Sequence, residues 1–153
     1  MVQRPVRVVV WGVLCVALIG APIPAPADEV PYIQTPGNVV DAMLAMAEVG
    51  PNDYVVDLGS GDGRIVIAAA KRYHARGLGI DYDRTLIAES RANAVREGVS
   101  DRVRFQQQDI FLADFHDATV VTMYLLPEVN LEIRPLILFG LQPGTRVVSH
   151  DWD

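Results

Sequence analysis

Apolar residues in this chain switch between two spacings, and the switches mark its elements. Val39, Val40, Met43, Leu44 and Ala47 recur at the interval of one helix face. Thr35-Pro36 ahead of them reads as an N-cap followed by proline at the first helical position, and Gly50-Pro51 stops the run. Tyr54–Leu58 is apolar apart from Asp57, as a parallel strand buried on both faces should be. Arg64–Tyr73 is Ala-rich with helical spacing, residues 77–81 form a second strand, and residues 83–97 form a helix capped by Asp83 and closed by Gly98. Val103–Gln107 is a third strand, more polar and so expected near the sheet edge. Residues 118–125 are a fourth strand, apolar and β-branched. Pro127 opens a helix that Pro135 is expected to kink or interrupt, residues 141–144 turn, and residues 145–150 form a fifth strand. Strands alternating with helices predict an α/β fold with a parallel sheet and right-handed crossovers.

The connection after the first strand carries the chemistry. Val55-Val56-Asp57-Leu58 runs into Gly59-Ser60-Gly61-Asp62-Gly63, and a helix begins at once. Three alternate glycines let the backbone turn sharply against a ligand, and the first N–H groups of the next helix are available to bind it. A dinucleotide fingerprint counted from Gly59 would need glycine at position 64, where Arg64 stands. The acid two residues before Gly59 suits a ligand with an ammonium group better than one with a pyrophosphate.

The Asp57-x-Gly59-x-Gly61-x-Gly63 segment resembles motif I of the class I S-adenosylmethionine (SAM) dependent methyltransferases. Residues 31–36, the run from Gly59 to Ala70, and Tyr124-Leu125-Leu126-Pro127 are together similar to a narrower group. These are small lysine methyltransferases related to those acting on membrane-embedded mitochondrial proteins, and their bacterial relatives. The resemblance spans residues 31–152. It implies a Rossmann-like doubly wound, mostly parallel sheet of strand order 3-2-1-4-5 with an extra N-terminal helix. It also implies SAM as cofactor and methyl transfer to a protein lysine or a small-molecule acceptor. An NAD(P)-binding oxidoreductase and a non-catalytic SAM-binding fragment are the alternative readings.

In such a sheet the ligand sits beyond the carboxyl ends of the strands. By resemblance Asp57 faces the methionine ammonium, and the backbone of Gly59, Ser60, Gly61, Asp62 and Gly63 packs on the amino-acid part and ribose. Asp81, at the end of the second strand, suits the paired ribose hydroxyls. Asp109 falls to the adenine amino group and Ile110 to the ring. Tyr32 and Thr35, in the segment ahead of the first helix, are expected to fold over the cofactor as a lid. Tyr124 is the expected catalytic residue, orienting the acceptor or walling its channel, with Thr122 and Asn130 as further candidates. The Asn/Asp-Pro-Pro-Tyr motif of amide and base methylation is absent. His150 among Asp151 and Asp153 is weak evidence for a metal, so none is expected. His74 and His116 read as exposed loop histidines.

Charge and the chain ends refine the picture. Of 153 residues, 13 are Lys or Arg and 19 Asp or Glu, giving a net charge of −6, which argues against a nucleic-acid partner held by charge. Lys71 is the sole lysine, and the arginine, alanine and glycine load suggests a GC-rich bacterial genome. Residues 1–27 have the layout of a secretory signal peptide or an N-terminal anchor, with Arg4 and Arg7 before an apolar run and Ala25-Pro26-Ala27 at its end. That predicts a domain at 28–153 that is exported or anchored facing outward, with membrane contact only through the N-terminal segment; the domain is cytoplasmic if the segment is no signal. Cys15, the one cysteine, lies within the apolar run. The ending at Asp153, directly after a strand, points to a C-terminally truncated domain, because the family adds a helix and two strands there. Oligomeric state is left open.

Overall fold

The computed structural model describes residues 33–150. The signal or anchor expectation for residues 1–27, and Tyr32, lie outside them. Nine elements follow in the order α1 (Gly37–Met46), β1 (Tyr54–Leu58), α2 (Arg64–Tyr73), β2 (Arg76–Asp81), α3 (Arg84–Arg96), β3 (Val103–Gln107), β4 (Val120–Met123), α4 (Pro127–Gly140) and β5 (Arg146–Ser149). The five strands form one sheet of order β3-β2-β1-β4-β5. Every pairing is parallel. The expected Rossmann-like topology is therefore present, with polar β3 at an edge and α1 as the additional helix.

The period-2 alternation of β1 divides the core. Val55 points into a cluster with α1, α2 and α3 that includes Leu44, Val66 and Ile87. Val56 and Leu58 point into a second cluster with Leu78, Ile80, Val121, Met123 and Ile133 of α4. Asp57 shares the face of Val55, so a carboxylate sits inside the sheet layer under the start of α2. No described helix is long and apolar enough to cross a membrane.

Four local expectations need correction. Pro36, not Thr35, occupies the N-cap position of α1, without a side-chain cap. The Pro36 carbonyl accepts the Val39 and Val40 N–H groups and so starts the helix one residue later. The helix ends at Met46, and Glu48 in the left-handed region (φ 49°) turns the chain before Gly50-Pro51 is reached. Pro135 does not interrupt α4, which continues to Gly140; Pro135 is exposed, so its ring is accommodated on the solvent side. The fourth strand is also shorter than residues 118–125. Ala118 is held in a turn by the Phe115 carbonyl, and Tyr124 and Leu125 leave the ladder. Asp83 is the N-cap of α3 as expected, accepting from the Thr85 and Leu86 N–H groups at 2.6 and 3.3 Å.

The amino end of the sheet is tied by one polar cluster. Asp53 accepts from the Gly50 N–H at 2.8 Å and the Thr119 hydroxyl at 2.7 Å, and it pairs with Arg146 of β5. Burial alone would raise the Asp53 carboxyl; the Thr119, Gly50 and Arg146 hydrogen bonds outweigh it and hold it below the ordinary carboxylate value. Arg146 also donates to the Ala47 carbonyl at 2.7 Å, so this edge strand holds the end of α1. The cluster lies at the end of the sheet away from the glycine loop and leaves the carboxyl end for ligands.

Candidate active site

The loop after β1 folds over the end of β2. Gly59 and Ser60 both donate their N–H to the Ile80 carbonyl at 2.9 Å. The Gly61 N–H donates to Asp81 Oδ2 at 2.8 Å, and Asp81 Oδ1 accepts the Asp83 N–H at 2.9 Å. Gly59, Gly61 and Gly63 have φ values of 78°, 53° and 81°, a region that L side chains rarely enter. Asp81 thus fixes the loop and ends the second strand at once. Each of its oxygens keeps a further lone pair for a ligand hydroxyl.

Asp57 is 2% exposed, and its Oδ1 accepts the Thr122 hydroxyl at 2.7 Å. The register Asp57↔Thr122 makes that contact, so Thr122 supports Asp57 and is buried away from any acceptor. Burial pushes the Asp57 carboxyl up to about 7 against the Thr122 hydrogen bond, with help from the negative charges of Asp81 and Asp62. Because the folded value lies above the unfolded one, this group's stability contribution is complete below about pH 4 and is lost as pH rises through about 7. Asp57→Asn should therefore leave the ligand-free protein less sensitive to alkali. Urea unfolding at about pH 5 and about pH 8 checks this: the native chain should lose stability between them and the variant should lose less.

The Ser60 hydroxyl lies under the loop, 2.6 Å from where a Cβ on Gly79 would stand, while its N–H is held by the Ile80 carbonyl and its carbonyl accepts the Gly63 N–H. Asp62 pairs with Arg64 through both oxygens, at 2.9 and 2.6 Å. Thr35 is buried and its carbonyl accepts Arg64 Nη1 at 2.8 Å, which brings the segment before α1 against the loop. Asp109 is exposed just beyond β3 and accepts the Phe111 N–H at 2.9 Å, while Ile110 packs partly on the second core cluster. His74 and His116 are exposed, the latter paired with Asp114 and Asp117.

The ends of β4 and β5 supply another group. The Tyr124 and His150 rings stand 4.5 Å apart, tilted by 43°. The His150 N–H donates to the Met123 carbonyl at 3.0 Å, which places His150 beside that strand end. Leu125 touches the glycine loop: a Cβ on Gly59 would stand 2.7 Å from its Cδ2. Asn130 Nδ2 donates to the Leu125 carbonyl at 3.1 Å, and among the described residues its Oδ1 is a buried acceptor without a donor. Sequence reasoning missed Arg64 as a connector, treating it only as the residue that breaks the dinucleotide pattern. A guanidinium two residues after an acid was the available signal.

A glycine cradle, a buried acid at its root and acids at the next two strand ends fit a nucleoside carrying an amino-acid tail. The comparisons agree. A family model described as the ANTKMT methyltransferase domain matches residues 57–153. A protein-lysine N-methyltransferase of Saccharolobus islandicus is 44% identical over 126 residues, covering 82% of this chain and 78% of that protein. An adenine nucleotide translocase lysine N-methyltransferase of Mus musculus is 32% identical over 121 residues, covering 79% of this chain and 52% of that protein. A crystal structure of an RNA methyltransferase from Salinibacter ruber, in complex with S-adenosyl-L-homocysteine, superposes with a TM-score of 0.78. It is 55% identical and covers 79% of each chain. Fold, glycine loop and relatives converge: the chain is a class I SAM-dependent methyltransferase and belongs to the ANTKMT methyltransferase domain family.

Proposed function

We propose that this protein methylates the side-chain amine of a protein lysine. The observation that carries the reading is the Tyr124–His150 ring pair at the strand ends beside the glycine loop. The lysine methyltransferases among its relatives supply the acceptor class.

Bound SAM supplies a methyl group on a sulfonium, open to in-line displacement by an amine. We assign Asp57 to the cofactor's ammonium and the backbone of Gly59, Ser60, Gly61, Asp62 and Gly63 to its amino-acid part and ribose. Asp81 takes the ribose hydroxyls, Asp109 and Ile110 the adenine, and Tyr32 and Thr35 cover the cofactor. A cation held against Asp57 draws off the proton that burial favours, so cofactor binding tightens as pH rises through about 7. Most of the rate comes from holding amine and methyl in line. The lysine ammonium must shed its proton before or during attack. Tyr124 orients the amine, and the His150 imidazole is the adjacent group able to receive the proton.

The test incubates the full chain with methyl-labelled SAM and a host extract. Label should survive ribonuclease, disappear with protease, and appear as methyllysine after acid hydrolysis. The Salinibacter ruber neighbour is described as an RNA methyltransferase, so label lost to ribonuclease would replace lysine with RNA as acceptor. Tyr124→Phe should lower kcat by about 10–100-fold with cofactor affinity unchanged. We further propose that residues 1–27 direct export or anchoring; an intact Met1 on a cytosolic protein would refute it.

A further inference from the structure

We propose that Arg64 is a positioning residue for the cofactor: its guanidinium fastens the segment before α1 to the glycine loop, so the two form one wall of the site. The inference rests on the residue assignments above. Arg64 makes a two-pronged contact with Asp62, from Nε to Oδ1 at 2.9 Å and from Nη2 to Oδ2 at 2.6 Å. Its remaining prong, Nη1, reaches the Thr35 carbonyl at 2.8 Å, bridging positions 29 residues apart. The contact is largely shielded, with the Asp62 side chain 11% exposed and Thr35 6%.

Each partner depends on this arrangement. Because the helical ladder of α1 begins at the Pro36 carbonyl, the Thr35 carbonyl stands outside it and takes its hydrogen bond from Arg64. Asp62 is braced from the other side, where Asn93 of α3 donates to its backbone carbonyl at 2.9 Å. The segment is thus tied through Arg64 and Asp62 to the loop, and through the loop to Asp81. Lysine cannot reproduce the link, since it lacks the planar fork that serves two oxygens while a third bond leaves at an angle. Asp57 faces Asp62 of the loop, Asp81 of β2 and Thr122 of β4. Removing the guanidinium takes a paired positive charge from Asp62, whose negative charge raises that carboxyl.

The test uses the full chain with Arg64→Ala and Arg64→Lys. In ligand-free protein, amide hydrogen exchange at Gln34 and Thr35 should quicken by about tenfold in Arg64→Ala. The dissociation constant for SAM should rise by about tenfold, while kcat at saturating cofactor stays within about twofold. The pH midpoint of cofactor binding should move upward in Arg64→Ala, because Asp62, one of the charges that raise Asp57, loses the guanidinium paired with it. Arg64→Lys, which keeps the charge without the fork, should share the affinity loss but keep the native midpoint; it also carries the test if Arg64→Ala fails to fold. A variant that only melts earlier, with exchange, affinity and midpoint unchanged, would overturn the proposal and leave Arg64 a structural ion pair. If the native chain itself fails to bind SAM, the cofactor assignments fall instead.

Discussion

Asp81→Ala is expected to weaken SAM binding by about 100-fold or more, the sum of roughly two lost charge-assisted hydrogen bonds. The carboxylate receives the Gly61 and Asp83 N–H groups, one on each oxygen. Deleting it removes the proposed ribose partner and also releases the middle of the glycine loop. Asp81→Asn separates the two effects. Its single carbonyl oxygen can accept only one of those N–H groups, and its amide turns a donor toward the other, so the loss should be about tenfold or more. Titration calorimetry of both variants decides the matter. A dissociation constant within about threefold of native for Asp81→Ala would remove Asp81 from the cofactor site.

Gly63→Ala is the corresponding test of the loop's packing, and its effect should appear in stability. A Cβ there would stand 2.5 Å from Phe105 Cε1, 2.6 Å from Cζ and 2.9 Å from Ser90 Cβ, on a backbone with φ 81°. The ring is 7% exposed and Ser90 is fully buried, so neither has room to withdraw. Overpacking and the left-handed backbone together should cost about 3–5 kcal/mol, a large part of a typical domain's stability. Gly59→Ala is the control. Its Cβ would meet only the flexible end of Leu125, so the cost should be about 1–2 kcal/mol, from the backbone. Urea unfolding of both variants measures the contrast. Equal losses would show that φ alone, and not contact with Phe105, makes glycine necessary at position 63.

Much of the candidate site's arrangement was legible because its parts are local. Asp57, the glycines, Asp81 and Asp109 stand at successive strand ends, and a parallel sheet brings such ends to one edge whatever the details of packing. The polar residues Gln106 and Gln107 likewise announced that β3 is an edge strand. Thr122 was misjudged because its partner Asp57 lies 65 residues away, joined only by the β1–β4 register. Thr35 looked like a helix cap because a hydroxyl before proline usually is one. Its carbonyl is instead the anchor point for Arg64, and the helix takes Pro36 as its first acceptor.

The sequence by itself determined the order of elements, the α/β class and the glycine loop. Hydrophobic period and the glycine spacing act within a few residues and need no distant partner. Its resemblance to a family named the cofactor. Only the tertiary structure decided that Asp57 is a buried acid bound to Thr122, that Arg64 ties two segments together, and that Tyr124 meets His150. Those contacts join residues far apart in the chain, and the pairing of parallel strands and the closure of the loop onto Asp81 alone bring them within reach.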